Sequence, residues 1–126
     1  MADTSGSIDD DTLSTVYGEI CSALAQFNGG LVGLLAFFDT RVYTPVVFAD
    51  VTDLLNIKPR GGGGTDFGCV FDFVKKHMAD VPLADIVIFT DGQAEFPNES
   101  AAGNIPVLWL LTDKSVTPPW GKFAYV

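Results

Sequence analysis

Positive charge is scarce in this 126-residue sequence: seven Lys and Arg stand against sixteen Asp and Glu, leaving a net charge of −9. A nucleic-acid-binding surface needs a basic footprint, so that class is excluded at the outset. The two cysteines, Cys21 and Cys69, do not make a disulfide framework. One histidine, His77, cannot supply the His-Glu-x-x-His pair of a zinc peptidase. No apolar run approaches the roughly 20 residues of a membrane span. Met1-Ala2-Asp3 lacks both the basic and the apolar regions of a secretory signal, so a cytoplasmic location is expected. Core material, by contrast, is plentiful. With 48% hydrophobic and 12% aromatic residues, the composition excludes wholesale disorder, and the length suits one domain spanning 1–126.

The apolar residues follow two periods. Leu13, Val16, Tyr17, Ile20, Cys21, Leu24 and Phe27 recur at helical spacing, which predicts an amphipathic helix over Asp9–Phe27. Asp9, Asp10 and Asp11 fall in its first turn, where carboxylates favour the positive end of the helix dipole. A second stripe, Phe67, Val70, Phe71, Val74 and Met78, predicts another helix behind the Gly61–Gly64 run. Between and after them lie strand-length apolar segments: Leu31–Phe38, Ile86–Phe89 and Val107–Leu111, with Lys122–Val126 as a short last strand. Val42–Phe48 is expected to return antiparallel near an edge, because Pro45 cannot donate to a ladder. The segment from Gln93 to Asn104 is polar and carries little helical pattern, so one sheet face is expected to be thinly covered. Strands alternating with helices imply an α/β fold with a mostly parallel sheet.

Ligands of open α/β sheets bind beyond the carboxyl ends of the strands. Three polar segments fall at such places: Asp3-Thr4-Ser5-Gly6-Ser7, Gly64-Thr65-Asp66 and Thr90-Asp91-Gly92. They offer only hydroxyl and carboxylate oxygens, a donor set that selects hard cations, Mg²⁺ above all. On an extended stretch Asp3, Ser5 and Ser7 point to one side, so their oxygens can converge.

These three segments, in this order, resemble the metal-ion-dependent adhesion site of von Willebrand factor A-type (VWA) domains. Together with Phe96-Pro97 and Pro106-Val107-Leu108-Trp109, they look like the C-terminal VWA-like domain of a family of bacterial predicted metallopeptidases of uncertain function. The resemblance implies a Rossmann-like sheet with flanking helices and an antiparallel edge strand. It implies a Mg²⁺ site, with Mn²⁺ or Ca²⁺ as substitutes, built from Asp3, Ser5, Ser7, Thr65 and Asp91. Ser5 and Ser7 would bind directly, Thr65 directly or through water, and Asp3 and Asp91 largely through water. It further implies a non-catalytic interaction module whose protein partner contributes a carboxylate. In such domains a hydrophobic central strand runs into the first motif, yet only Met1 and Ala2 precede Asp3. The chain therefore reads as a C-terminal fragment with a truncated first central strand, open to self-association through the incomplete sheet.

Other roles compete for the same residues. Ser7 with Asp10 could form a helix capping box, and Asp66 is expected to cap the second helix, with support of the metal's ligands as its other role. Gly61–Gly64 reads as a turn that delivers Thr65 rather than a linker. Asp39 follows an apolar strand and could face the same end of the sheet, though it reads first as a turn aspartate. His77 reads as a cation at a helix C-terminus, Cys21 and Cys69 as small buried groups, and Trp109 as core, while Trp120 could be an exposed contact. Two further functions stand as alternatives. One is a metal-dependent phosphohydrolase with Asp3 as nucleophile; the other is a structural domain with a vestigial site.

Overall fold

The computed structural model describes residues 1–6, 8–26, 33–50, 52–53, 56–59 and 61–126, the side chain of Leu24 excepted. Strand β1 (Ala2–Asp3) is followed by helix α1 (Asp10–Gln26), β2 (Gly33–Leu35), β3 (Phe37–Phe38) and β4 (Val46–Phe48). Helix α2 (Phe67–His77) then precedes β5 (Ile86–Thr90), a short 3-10 helix (Glu99–Ala102), β6 (Val107–Leu111) and β7 (Lys122–Tyr125). Five strands form the main sheet in the order β3-β1-β5-β6-β7, and every pairing in it is parallel. β2 and β4 pair antiparallel in a small second sheet. The expected α/β architecture is thus present, a mostly parallel sheet with a helix on each face and one antiparallel pair.

Although β1 has only two residues, it occupies the position between β3 and β5. Main-chain bonds flank it on both sides: Ala2 N donates to Ala36 O (2.8 Å), Thr4 N to Phe38 O (2.8 Å) and Phe89 N to Met1 O (3.0 Å). The terminal amine of Met1 donates to Val87 O at 2.8 Å.

Alternation along the strands assigns side chains to two cores. Ile86, Ile88, Val107, Trp109 and Leu111 face α2, where they meet Phe67, Val70, Phe71 and Val74. Ala2, Phe37 and Phe89 face α1, where they meet Val16 and Ile20. The α2 side is the more thoroughly filled. Trp109 is fully buried there, in edge contact with Phe67, Phe96 and Trp120 at centroid distances of 5.3, 4.9 and 5.5 Å. Trp120 is half-buried and donates its Nε1 to Pro97 O at 2.7 Å, which makes it a strut of that core. Thin coverage appears on the α1 side, where Leu108 and Leu110 of β6 remain half-buried.

Several local expectations need correction. Leu31 and Val32 of the apolar run lie outside the described residues, and the rest of it is two strands rather than one: β2 pairs with β4, β3 pairs with β1, and Ala36 separates them. An apolar run does not say where the ladder partner changes. Leu34, in the part paired with β4, is 38% exposed, so this segment is not covered on both faces. α1 begins at Asp10, and its cap is Asp9, whose Oδ1 accepts from both the Thr12 amide and hydroxyl at 2.8 Å. Ser7 and Phe27 lie outside the described residues. Cys21 and Cys69 are half-buried.

Removing Trp109 should be costly because four aromatic rings pack against it. Trp109→Ala is expected to lower the unfolding free energy in urea by about 3–5 kcal/mol. Phe123→Ala, on the exposed edge strand β7, should cost about 1 kcal/mol or less.

Candidate functional site

Because the main strands run in one direction, their carboxyl ends share one edge of the sheet, and the polar segments gather along it. Asp3 closes β1, Asp39 follows β3, and Thr90 closes β5 with Asp91 directly after it. Asp3 is 2% exposed, so its carboxylate must find donors within the protein. It does. Oδ1 accepts from the Ser5 amide at 2.8 Å and Oδ2 from the Thr90 hydroxyl at 2.6 Å. Thr90 Oγ1 in turn accepts from Gly92 N at 3.0 Å, which fixes its hydroxyl proton toward Asp3.

The charge at this end is negative. Burial drives the Asp3 carboxyl above its ordinary value; hydrogen bonds from Thr90 and Ser5 oppose the rise, and the Asp91 charge adds to it. The Cys69 thiol is pushed up to about 12 by burial and by Asp66, Asp39, Asp72 and Asp3. Negative charge from Asp91 thus reaches Asp3, and that of Asp66, Asp39, Asp72 and Asp3 reaches Cys69.

The glycine run is folded against the first motif. Gly6 N donates to Gly63 O at 2.8 Å. Gly61 has φ +138°, and a Cβ there would overlap Thr4 Oγ1, so both its conformation and its contact demand glycine. Thr65, half-buried, emerges from this loop one residue before the N-cap of α2. That cap is Asp66, whose Oδ1 accepts from Gly68 N at 2.8 Å, as expected. Asp39 is more than a turn residue. It is 5% exposed and accepts from Arg41 N, Gly63 N and the Tyr43 hydroxyl at 3.2, 3.2 and 3.1 Å.

Of the five residues expected to bind metal, Asp3, Ser5 and Asp91 are brought together at the β1–β5 carboxyl ends, through the Ser5 amide bond and the charge felt from Asp91. Thr65 sits on the loop tied to that motif through Gly63, and Ser7 lies outside the described residues. Among the described residues, no three His, Cys, Asp or Glu side chains form a cluster, so any metal here depends on hydroxyls as well as carboxylates. Such an oxygen set fits a hard divalent cation, and the buried, raised Asp3 beside Asp91 is a place where positive charge is lacking.

The VWA-like domain model (DUF2201) matches the sequence over residues 1–126. The chain belongs to that family. No curated protein matches it. The VWA-like assignment agrees with the parallel sheet and its two flanking helices. No described helix is long and apolar enough to cross a membrane. The sequence alone did not pair two residues of this domain's carboxyl edge with their partners. Thr90 stood beside a flagged Asp, but its partner becomes visible only once β5 lies next to β1. Asp39 stood at a strand end, but its partner Gly63 is 24 positions away.

Two measurements follow. Thr90→Val keeps the shape but removes the donor to Asp3, so it should cost about 1–3 kcal/mol by denaturation and raise the Asp3 pKa further, read by NMR titration. Burial pushes the Asp39 carboxyl up, yet the hydrogen bonds from Arg41, Gly63 and Tyr43 outweigh it and hold the group below its ordinary 3.8. The folded state thus binds fewer protons there than the unfolded state. Its contribution is full above the ordinary value and is lost as pH falls through the depressed one. Relative to Asp39→Asn, the wild-type chain should therefore lose stability more steeply below pH 3.8 in acid denaturation.

Proposed function

We propose that this VWA-like domain is a Mg²⁺-dependent protein-interaction module with a metal-ion-dependent adhesion site, non-catalytic by itself. Ser5, Ser7 and Thr65 supply hydroxyl oxygens, while Asp3 and Asp91 act largely through bound water; Mn²⁺ or Ca²⁺ can substitute. The reading rests above all on one observation: a buried Asp3 carboxylate at the end of β1, engaged by Ser5 and Thr90 and facing the Asp91 charge. Both Asp3 oxygens accept hydrogen bonds, which suits a carboxylate that orients its surroundings better than one bonded directly to a metal. The same engagement and burial speak against Asp3 as the nucleophile of a phosphohydrolase, since attack needs an exposed, available oxygen.

The partner in this reading is a protein that contributes a carboxylate to the open coordination position, which an acidic chain recognises only with a cation between them. Nucleic acid and membrane are not partners. Within a longer protein of the metallopeptidase type, the domain is the C-terminal interaction part. Any peptidase chemistry would lie in another segment, because a single histidine, His77, cannot supply a His-Glu-x-x-His pair.

Calorimetric titration of the chain with MgCl₂ or MnCl₂ tests the proposal. Binding is expected in the wild type and should disappear in Asp3→Ala and Ser5→Ala. A metal that binds the folded state alone must also raise the melting temperature. Equal binding in the variants, or a melting temperature indifferent to Mg²⁺, would overturn it.

A further inference from the structure

We infer that Asp39 is the positioning residue for Thr65, clamping the glycine run so that the Thr65 hydroxyl is presented to the cation; this rests on the metal reading above. Thr65 follows four consecutive glycines, a segment with more conformational freedom to lose than any other in the chain. A hydroxyl carried on such a segment is useful to a metal only if the backbone on both sides of it is held. Asp39 holds both sides. Its Oδ2 accepts from Gly63 N at 3.2 Å, two residues before Thr65, and its carbonyl accepts from Asp66 N at 2.9 Å, one residue after. The Gly63 carbonyl then accepts from Gly6 N at 2.8 Å, joining the clamped loop to the segment that carries Ser5.

Asp39 is itself held. Its amide donates to Arg41 O at 3.1 Å, its Oδ1 accepts from Arg41 N, and its Oδ2 accepts from the Tyr43 hydroxyl as well as from Gly63 N. A Cβ on Gly63 would stand 3.2 Å from Oδ2, so a side chain there would push the carboxylate back by a few tenths of an ångström. With Arg41 N on Oδ1 and both Gly63 N and the Tyr43 hydroxyl on Oδ2, Asp39 serves the site through the loop.

The tether to Asp66 is main-chain and survives substitution, whereas the tether to Gly63 is made by the side chain, and Asn keeps one acceptor oxygen for the Arg41 and Gly63 amides that the carboxylate serves with two. The test uses the full chain: calorimetric titration with MnCl₂ of wild type, Asp39→Asn, Thr65→Ala and the double variant, with amide hydrogen exchange of the metal-free proteins. Asp39→Asn should speed exchange at Gly63 and weaken Mn²⁺ binding by about tenfold or more, the size expected when the support of a ligand is lost. In the Thr65→Ala background the same substitution should change Mn²⁺ affinity by less than about twofold, because the residue it acts through is gone. Should Asp39→Asn fail to fold, Gly63→Ala crowds the same contact and is expected to give the same pattern.

Full additivity of Asp39→Asn and Thr65→Ala overturns the inference, as does unchanged exchange at Gly63. So does faster exchange with unaltered Mn²⁺ affinity. A wild-type chain that takes up no Mn²⁺ overturns the metal reading and this inference with it, and the wild-type titration alone reveals that case.

Discussion

A buried carboxylate cannot be left without donors, and the placement of Asp3 imposes this condition on everything around it. Asp3 ends a strand of two residues set between β3 and β5, and its two oxygens reach the Ser5 amide ahead of it and the Thr90 hydroxyl on the next strand. Satisfying it therefore requires the turn of the first motif, the adjacency of β1 and β5, and the length of β5 through Thr90, all together. The Gly92 amide completes the chain of bonds by occupying the Thr90 oxygen. Local conformation and long-range topology meet in a single side chain.

The two faces of the sheet divide the work. Toward α2 the strands present Ile88, Trp109 and Leu111, all essentially without exposure, against Phe67, Val70 and Phe71. That packing fixes where α2 begins, and with it Asp66 and the loop that precedes it. Toward α1 the filling is smaller: Val16 and Ile20 cover Ala2, Phe37 and Phe89, while Leu108 and Leu110 keep part of their surface. The site draws its rigidity chiefly from the α2 side, because Asp3, Phe38 and Thr90 share that orientation by strand alternation.

Much of this was legible in the sequence. The stripes through Val16–Ile20 and Phe67–Val74 set both helices, and the runs Ile86–Phe89 and Val107–Leu111 set two parallel strands, since hydrophobic period follows directly from which face is buried. The glycine run was readable as a turn toward Thr65, and Gly61, with its positive φ and its contact with Thr4, gives that reading a physical cause. What escaped was pairing. Nothing in Leu31–Phe38 marks the change of ladder partner near Ala36, and Ser7 and Asp9 both satisfy the chemistry of a helix cap. The partners of Thr90 and Asp39 escaped for the same reason: each acts on a residue that is distant in sequence and near only after the sheet has formed.

The uniform direction of the main strands also sorts the connections into two populations. Those at the carboxyl ends, 4–6, 39–41, 61–66 and 91–92, are held by hydrogen bonds around Asp3 and Asp39. The stretch from Ala79 to Pro82, which leads into the start of β5, lies at the opposite end and is exposed throughout. Exposed tips of this kind are where chains accept extra residues. The domain is in effect permissive at one pole and intolerant at the other, so a reporter or affinity handle built into 79–82 leaves the whole carboxyl edge free.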